Sequence, residues 1–243
     1  MRGILRRTVL LGAIGLLAAF MAAGSVRADS GDDQVLDFSK QLADIQKKVD
    51  DLQSRGQSSR TGKLSAAATC GFGDPSQVFL PWGDPAIYTL APQGDLSSTS
   101  LWSLKNVDSS PDHNPFVGGV ASLLFAKGDS EAITPVMCMN VDNPSIRLFL
   151  ADRGGNGKAK LEVKVLYEGV DGGVHNFTIA RLHVDDDSWQ PSVVIPMGVN
   201  LLAAVSAQGW TPVAFDFKVH GLQKGETFSL DGVYVDPWGS RGA

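Results

Sequence analysis

The chain has 243 residues, 43% of them hydrophobic and 8% aromatic, a composition that excludes disordered and collagen-like classes. Its formal charge is −5, and becomes −9 once residues 1–28, which hold four arginines and no acids, are set aside. An acidic balance excludes nucleic acid or an anionic membrane surface as the main partner.

At the N-terminus, Arg2, Arg6 and Arg7 precede an apolar run from Thr8 to Val26, closed by Val26-Arg27-Ala28. This is the basic, apolar and small-residue order of an export signal, and residues 1–28 are read as a signal peptide cut after Ala28. The run is about 19 residues, near the ~20 that span a bilayer, so an uncleaved anchor tethering the protein to a membrane stays open.

Within residues 29–53, Val35, Phe38, Leu42, Ile45, Val49 and Leu52 step by threes and fours, the a/d seam of an amphipathic or coiled-coil helix. Two readings stand side by side: a stalk that makes homo-oligomers, and a helix resting on its own domain. Residues 54–69 are small, polar and unpatterned, and read as a flexible linker.

From Cys70 to the C-terminus (70–243) the pattern changes to short strands. Lys160–Tyr167 alternates charged and apolar residues, Asp171-Gly172-Gly173 is hairpin chemistry, and Val174–Ala180 follows. Period-two runs recur at Ile146–Leu150 and Val213–Val219. Further strands are expected at 86–90, 101–107, 121–126 and 189–197, and a short helix or packed loop at 199–207. In Phe228–Asp236 the apolar phase slips at Asp231-Gly232, the mark of a β-bulge that re-aims one carboxylate. Eight or nine strands at this spacing predict an all-β fold, an antiparallel β-sandwich of jelly-roll type. Cys70 and Cys138 are the two cysteines. In an exported chain they read as a disulfide, whose loop of about 67 residues corresponds to roughly 4 kcal/mol in the chain-entropy model.

Several stretches also form a familiar set: Cys70 with Ser76-Gln77-Val78-Phe79-Leu80-Pro81-Trp82-Gly83-Asp84, Tyr88-Thr89-Leu90, Gly94-Asp95-Leu96, Met137-Cys138, Ser188-Trp189-Gln190-Pro191 and Asp231–Pro237. Over residues 70–238 this set resembles a group of uncharacterised exported bacterial proteins. That group is similar to the galactose-binding-like jelly rolls, a superfamily containing many carbohydrate-binding modules. The resemblance implies a glycan partner, and a structural calcium between an opening Gly-Asp-Phe-Glu turn and the Asp of the closing strand. Asp95 and Asp231 match two of those positions, while Leu96 and Ser97 replace the Phe and the acid. Because calcium takes six to eight oxygens, a dry bulge with Asp231 bonded to backbone groups remains the alternative.

Catalytic signatures such as Gly-x-Ser-x-Gly, His-Glu-x-x-His and the Walker loop are absent from the sequence. Sugar recognition needs flat aromatic faces beside hydrogen-bonding groups. Trp102 is one candidate, although Leu104 shares its strand face and core packing is the competing reading. The loop 108–119 supplies His113, Asn114 and Phe116 at an expected sandwich edge, where binding residues gather. Taken together, the sequence predicts a secreted or surface-tethered, non-catalytic glycan-binding module without a cofactor other than that calcium. The alternatives are an adhesive surface protein oligomerising through 35–52, and a secreted hydrolase for which no acid–base pair can be named.

Overall fold

A computed structural model describes residues 64–236 except 117, 155–157, 170 and 185–186. The signal, the helical stalk and residues 54–63 of the linker lie outside the described residues. Strands β1 (Thr89–Leu90), β2 (Ser103–Lys105), β3 (Val107–Ser110), β4 (Ser122–Phe125), β5 (Glu131–Ile133) and β6 (Met137–Met139) are short. The long ones are β7 (Ser145–Arg153), β8 (Lys160–Glu168), β9 (Val174–Leu182), β12 (Thr211–His220) and β13 (Thr227–Asp236), with two-residue β10 (Gln190–Pro191) and β11 (Ile195–Pro196) before β12. A 3-10 segment, Val199–Ala204, fills the place expected for a short helix or packed loop.

The first sheet runs β10-β7-β13-β4-β3, with β1 also on β13 and β11 also on β7; the second runs β2-β5-β12-β8-β9, with β6 also on β12. Every strand ladder is antiparallel. The two sheets share one core because successive strand residues face opposite ways. Ile146, Leu148 and Leu150 of β7 and Phe228, Leu230, Val233 and Val235 of β13 meet Leu161, Val163 and Val165 of β8 and Val213, Phe215, Phe217 and Val219 of β12. Burying each such side chain stabilises the fold by about 1.5–3 kcal/mol before chain entropy is subtracted.

The slip in β13 is a register shift between Asp231 and Tyr234 against β7. Gly232 makes it possible: its φ is +58°, and a Cβ there would lie 2.9 Å from the Tyr234 ring. The bulge restores Val233 and Val235 to the core, and leaves Asp231 and Tyr234 together on the outer face.

The disulfide joins Cys70 to Cys138 as expected, with Cα atoms 4.8 Å apart. One reading of the linker needs correction. Ser65–Ala67 forms a 3-10 turn, and Ser65 donates its N–H and its hydroxyl to the Glu168 carboxylate at 3.0 and 2.9 Å. Thr69 bridges Met137. These polar residues look unpatterned because single bonds to the second sheet, not a buried stripe, hold them in place. The folded unit therefore reaches back to Leu64 at least.

Candidate functional site

The outer face of β7 is where a sandwich strand would ordinarily meet water, yet β7 is buried on both sides. A second cluster covers it: Phe79, Tyr88, Trp189 and Tyr234 pack around Phe149 and Ala151. Phe79 stacks on Phe149 with centroids 5.2 Å apart, and Tyr88 and Tyr234 meet the Phe79 ring edge-on. Offset and edge-to-face contacts of this kind add about 0.5–1.5 kcal/mol each beyond the area they bury.

The cover is fastened by Arg147. Its Nη1 donates to Asp84 Oδ2 at 2.7 Å, while Nε and Nη2 both donate to the Ser192 carbonyl at 2.9 and 2.6 Å. The guanidinium also lies 4.1 Å from the Phe79 ring centroid, a cation–π contact. Burial pushes the Asp84 carboxyl up, but hydrogen bonds from the Tyr88 hydroxyl, the Ala86 N–H and Arg147 outweigh it and hold the group below its ordinary value. The turn Leu80–Trp82, closed by Gly83 at φ +78°, is thus pinned at its Asp84 end.

A second loop is pinned beside it. The Asn114 backbone N–H and side-chain amide both donate to Asp231 Oδ2, at 3.0 and 2.7 Å. Asn114 in turn accepts the Phe116 N–H on its own side-chain oxygen at 3.1 Å. Burial pushes the Asp231 carboxyl up, opposed by the Asn114 and Gly232 donors and by His113 nearby. His113 Nδ1 sits 3.0 Å from the Asn114 carbonyl. A carbonyl can only accept, so this ring nitrogen carries the proton, and in the neutral ring Nε2 is the acceptor end.

Between these two anchors an aromatic pair stands proud of the surface. Phe116 is 49% exposed and Trp82 36%. Their rings meet edge-to-face at 4.7 Å and 85°, and both rest on buried Phe149, at 5.8 and 5.6 Å. Leu80 is exposed in the same turn.

Of the residues singled out from the sequence, Phe116 is presented to solvent, His113 is half-buried, and Asn114 is buried as the clamp on Asp231. Trp102 requires correction as a ligand residue. It is 7% exposed, donates its indole N–H to the Gln93 carbonyl at 3.1 Å and stacks toward Phe217 in the core. It sits in the bend just before β2, where its backbone N–H donates to the Thr99 carbonyl at 3.0 Å and its ring turns into the core. Trp82 is the residue that sequence reasoning missed. The signal for it was the Pro-Trp-Gly turn, since a tight turn exposes the side chain at its tip.

The two carboxylates expected to hold calcium are both engaged. Asp95 Oδ1 accepts the Ser97 N–H and hydroxyl at 3.2 and 3.0 Å, closing its own turn, and Asp231 accepts from Asn114. Among the described residues no group of three or more His, Cys, Asp or Glu side chains could hold a metal ion. Beside these groups the Asp95 backbone carbonyl and the Asp231 carboxylate come together, 3.8 and 3.7 Å from the Cβ position of Gly119.

On the outer face of the second sheet, charges pair with one another. Glu162 accepts from Thr178 and Arg181, each at 2.9 Å, with Lys164 and His220 beside it. Burial works against its ionisation, but these partners bring its pKa down to about 2. Lys218 joins Glu131 at 2.7 Å and Asp216 at 3.5 Å.

No family model matches the sequence, and no curated protein does either. Among solved structures the chain is similar to the C-terminal family 22 carbohydrate-binding module of Clostridium thermocellum Xyn10B, with 13% identity, 60% of this chain and 92% of that one covered, and a TM-score of 0.37. It is similar also to the CBM22-1 xylan-binding domain of Paenibacillus barcinonensis Xyn10C, with 13% identity, coverages of 60% and 90%, and a TM-score of 0.38. A third is a family 43 arabinoxylan arabinofuranohydrolase from Bacillus subtilis, at 13% identity and a TM-score of 0.37; the match covers 55% of this chain but 25% of that enzyme. At these scores the likenesses decide nothing about what this chain binds.

Proposed function

We propose that this chain is an exported, non-catalytic binding module whose ligand is a glycan seated on Trp82 and Phe116. The observation that carries the reading is the exposed aromatic pair on a rigid base. Large aromatics left in water at one place mark an interaction site, and both loops that carry these are tied down by buried charge-assisted hydrogen bonds. A sugar ring offers C–H patches to such rings and hydroxyls to polar neighbours, and His113 Nε2 is one acceptor close by. The nearby carboxylates of Asp84 and Asp231 are occupied in holding loops, so they support binding rather than acid–base chemistry. A disulfide supports export, because disulfides persist in oxidising compartments.

Glycan-array and polysaccharide pull-down assays on wild type, Trp82→Ala and Phe116→Ala test the reading. Loss of an aromatic anchor costs about 2 kcal/mol or more, so each variant is expected to bind roughly 30-fold more weakly with its circular dichroism and melting curve unchanged. Equal glycan binding by the wild type and both folded variants would contradict it.

A further inference from the structure

The outer face of the first sheet continues past the aromatic pair. On β7 the side chains of Phe149, Ala151 and Arg153 share this face, and Arg153 lies four residues from Phe149, about 13 Å along the strand at ~3.3 Å per residue. There Arg153 Nη2 pairs with Asp112 Oδ2 at 2.6 Å, with the two side chains 36% and 48% exposed. Asp112 belongs to the same loop as His113 and Phe116, so one loop spans the distance between the aromatic pair and the ion pair.

The ion pair is held in place from below. The Trp189 indole N–H reaches Asp112 Oδ1 at 3.5 Å, and the Arg153 guanidinium lies 5.9 Å from the Trp189 ring centroid. The Asp112 main chain is fixed by Ser122, whose hydroxyl donates to its carbonyl at 2.6 Å, and by its own N–H donating to the Ser110 hydroxyl at 3.2 Å. Ala151 between the two positions is small, and Trp189, the residue just before β10, packs in the same cluster.

We infer that Asp112 and Arg153 form a second sugar subsite, which binds a vicinal diol of a neutral oligosaccharide whose other end rests on Trp82 and Phe116. This inference rests on the glycan reading above and adds to it a ligand length, a charge class and two specificity residues. A diol fits because each hydroxyl both donates and accepts: one donates to the Asp112 carboxylate while its neighbour accepts from an arginine N–H. Both protein groups are already oriented by their mutual contact, so little side-chain freedom is lost on binding. An acidic sugar is disfavoured, since Asp112 pairs with the arginine and Asp187 stands nearby, accepting the Gly154 N–H at 2.9 Å. Phe149, under the aromatic pair, and Arg153 stand about 13 Å apart along β7 at ~3.3 Å per residue, more than the span of one sugar ring, so a ligand touching both sites is an oligosaccharide.

Calorimetric titration with xylo-, cello- and galacto-oligosaccharides, from mono- to hexasaccharide, tests this on wild type, Arg153→Ala, Asp112→Asn and Trp82→Ala. Wild-type affinity for one series is expected to rise with length up to the point where both subsites are filled. Arg153→Ala and Asp112→Asn should each remove roughly tenfold from the longer members and leave the shortest unchanged, the size of a lost hydrogen bond to a charged group. Trp82→Ala should weaken every length. Length dependence identical in wild type, Arg153→Ala and Asp112→Asn overturns the second subsite while the aromatic site stands. Absence of wild-type affinity for all three series overturns this inference, and is told apart from the first outcome by the array result for Trp82→Ala.

Discussion

Arg147→Ala is expected to lower the unfolding free energy by about 3 kcal/mol, the lower part of the range for removing one partner of a buried ion pair. The side chain is 9% exposed and serves three partners at once: Asp84, the Ser192 carbonyl and the Phe79 ring. Truncation leaves the Ser192 carbonyl without those donors and strips Asp84 of its cation. The loss stays near 3 kcal/mol because Asp84 keeps the Tyr88 hydroxyl at 2.7 Å and the Ala86 N–H at 3.0 Å. Arg147→Lys should recover little, because an ammonium cannot reproduce the planar fork that reaches Asp84 and Ser192 together. Urea unfolding measures this. A change below about 1 kcal/mol, the scale of a surface ion pair, would mean that Arg147 does not fasten the aromatic cover. Glycan affinity should fall in the same variant, since the turn that presents Trp82 ends at Asp84.

Opening the Cys70–Cys138 disulfide, by reduction or by paired Cys→Ser substitution, is expected to cost about 2–4 kcal/mol. The bond spans a sequence separation of 68, and within that span the chain passes to the first sheet and back to the second twice. Thr69 accepts the Cys138 N–H at 3.3 Å and donates to the Val136 carbonyl at 2.8 Å. Just beyond Cys70, Gly73 and Ser76 bond to Leu90 and Tyr88 on the first sheet. Without the cross-link, the unfolded chain regains the freedom of that whole excursion. Denaturant midpoints with and without reductant check the value, and an unchanged midpoint would show that the hydrogen bonds at Thr69 already fix this segment.

How far the fold was legible depended on strand length. β8, β12 and β13 are nine or ten residues long, enough for alternation to appear, and the phase slip located the bulge to the residue. β5 and β6 have three residues each; Glu-Ala-Ile and Met-Cys-Met are too short for any period, and they exist because β12 offers them its edge. The stretch 101–107, expected as one strand, divides into β2 and β3 at Asn106, whose φ is +53°. Legibility failed most at the outer face of β7. Arg147 lies on the face opposite Ile146, Leu148 and Leu150, and nothing local to it announces that Phe79, Tyr88 and Trp189 fold over the top.

The site was half legible for the same reason. The loop carrying His113, Asn114 and Phe116 was readable from its composition and its place between strands. Trp82 could not be joined to it, because their meeting depends on two long-range closures, the Arg147–Asp84 bond and the Asn114–Asp231 clamp. Trp102 shows the converse: a single tryptophan has no intrinsic preference between core and ligand, and its bond to Gln93 and its contact with Phe217 decided the matter.

The most direct test of the account is where a saccharide touches the protein. Amide and side-chain chemical shifts recorded with a saturating soluble oligosaccharide should move at Leu80–Trp82, His113, Phe116, Asp112 and Arg153 on the first sheet's outer face, while Glu162, Lys164, Asp216 and Lys218 on the second stay still. Shifts confined to that second face, with the Trp82 indole signal unmoved, would contradict it.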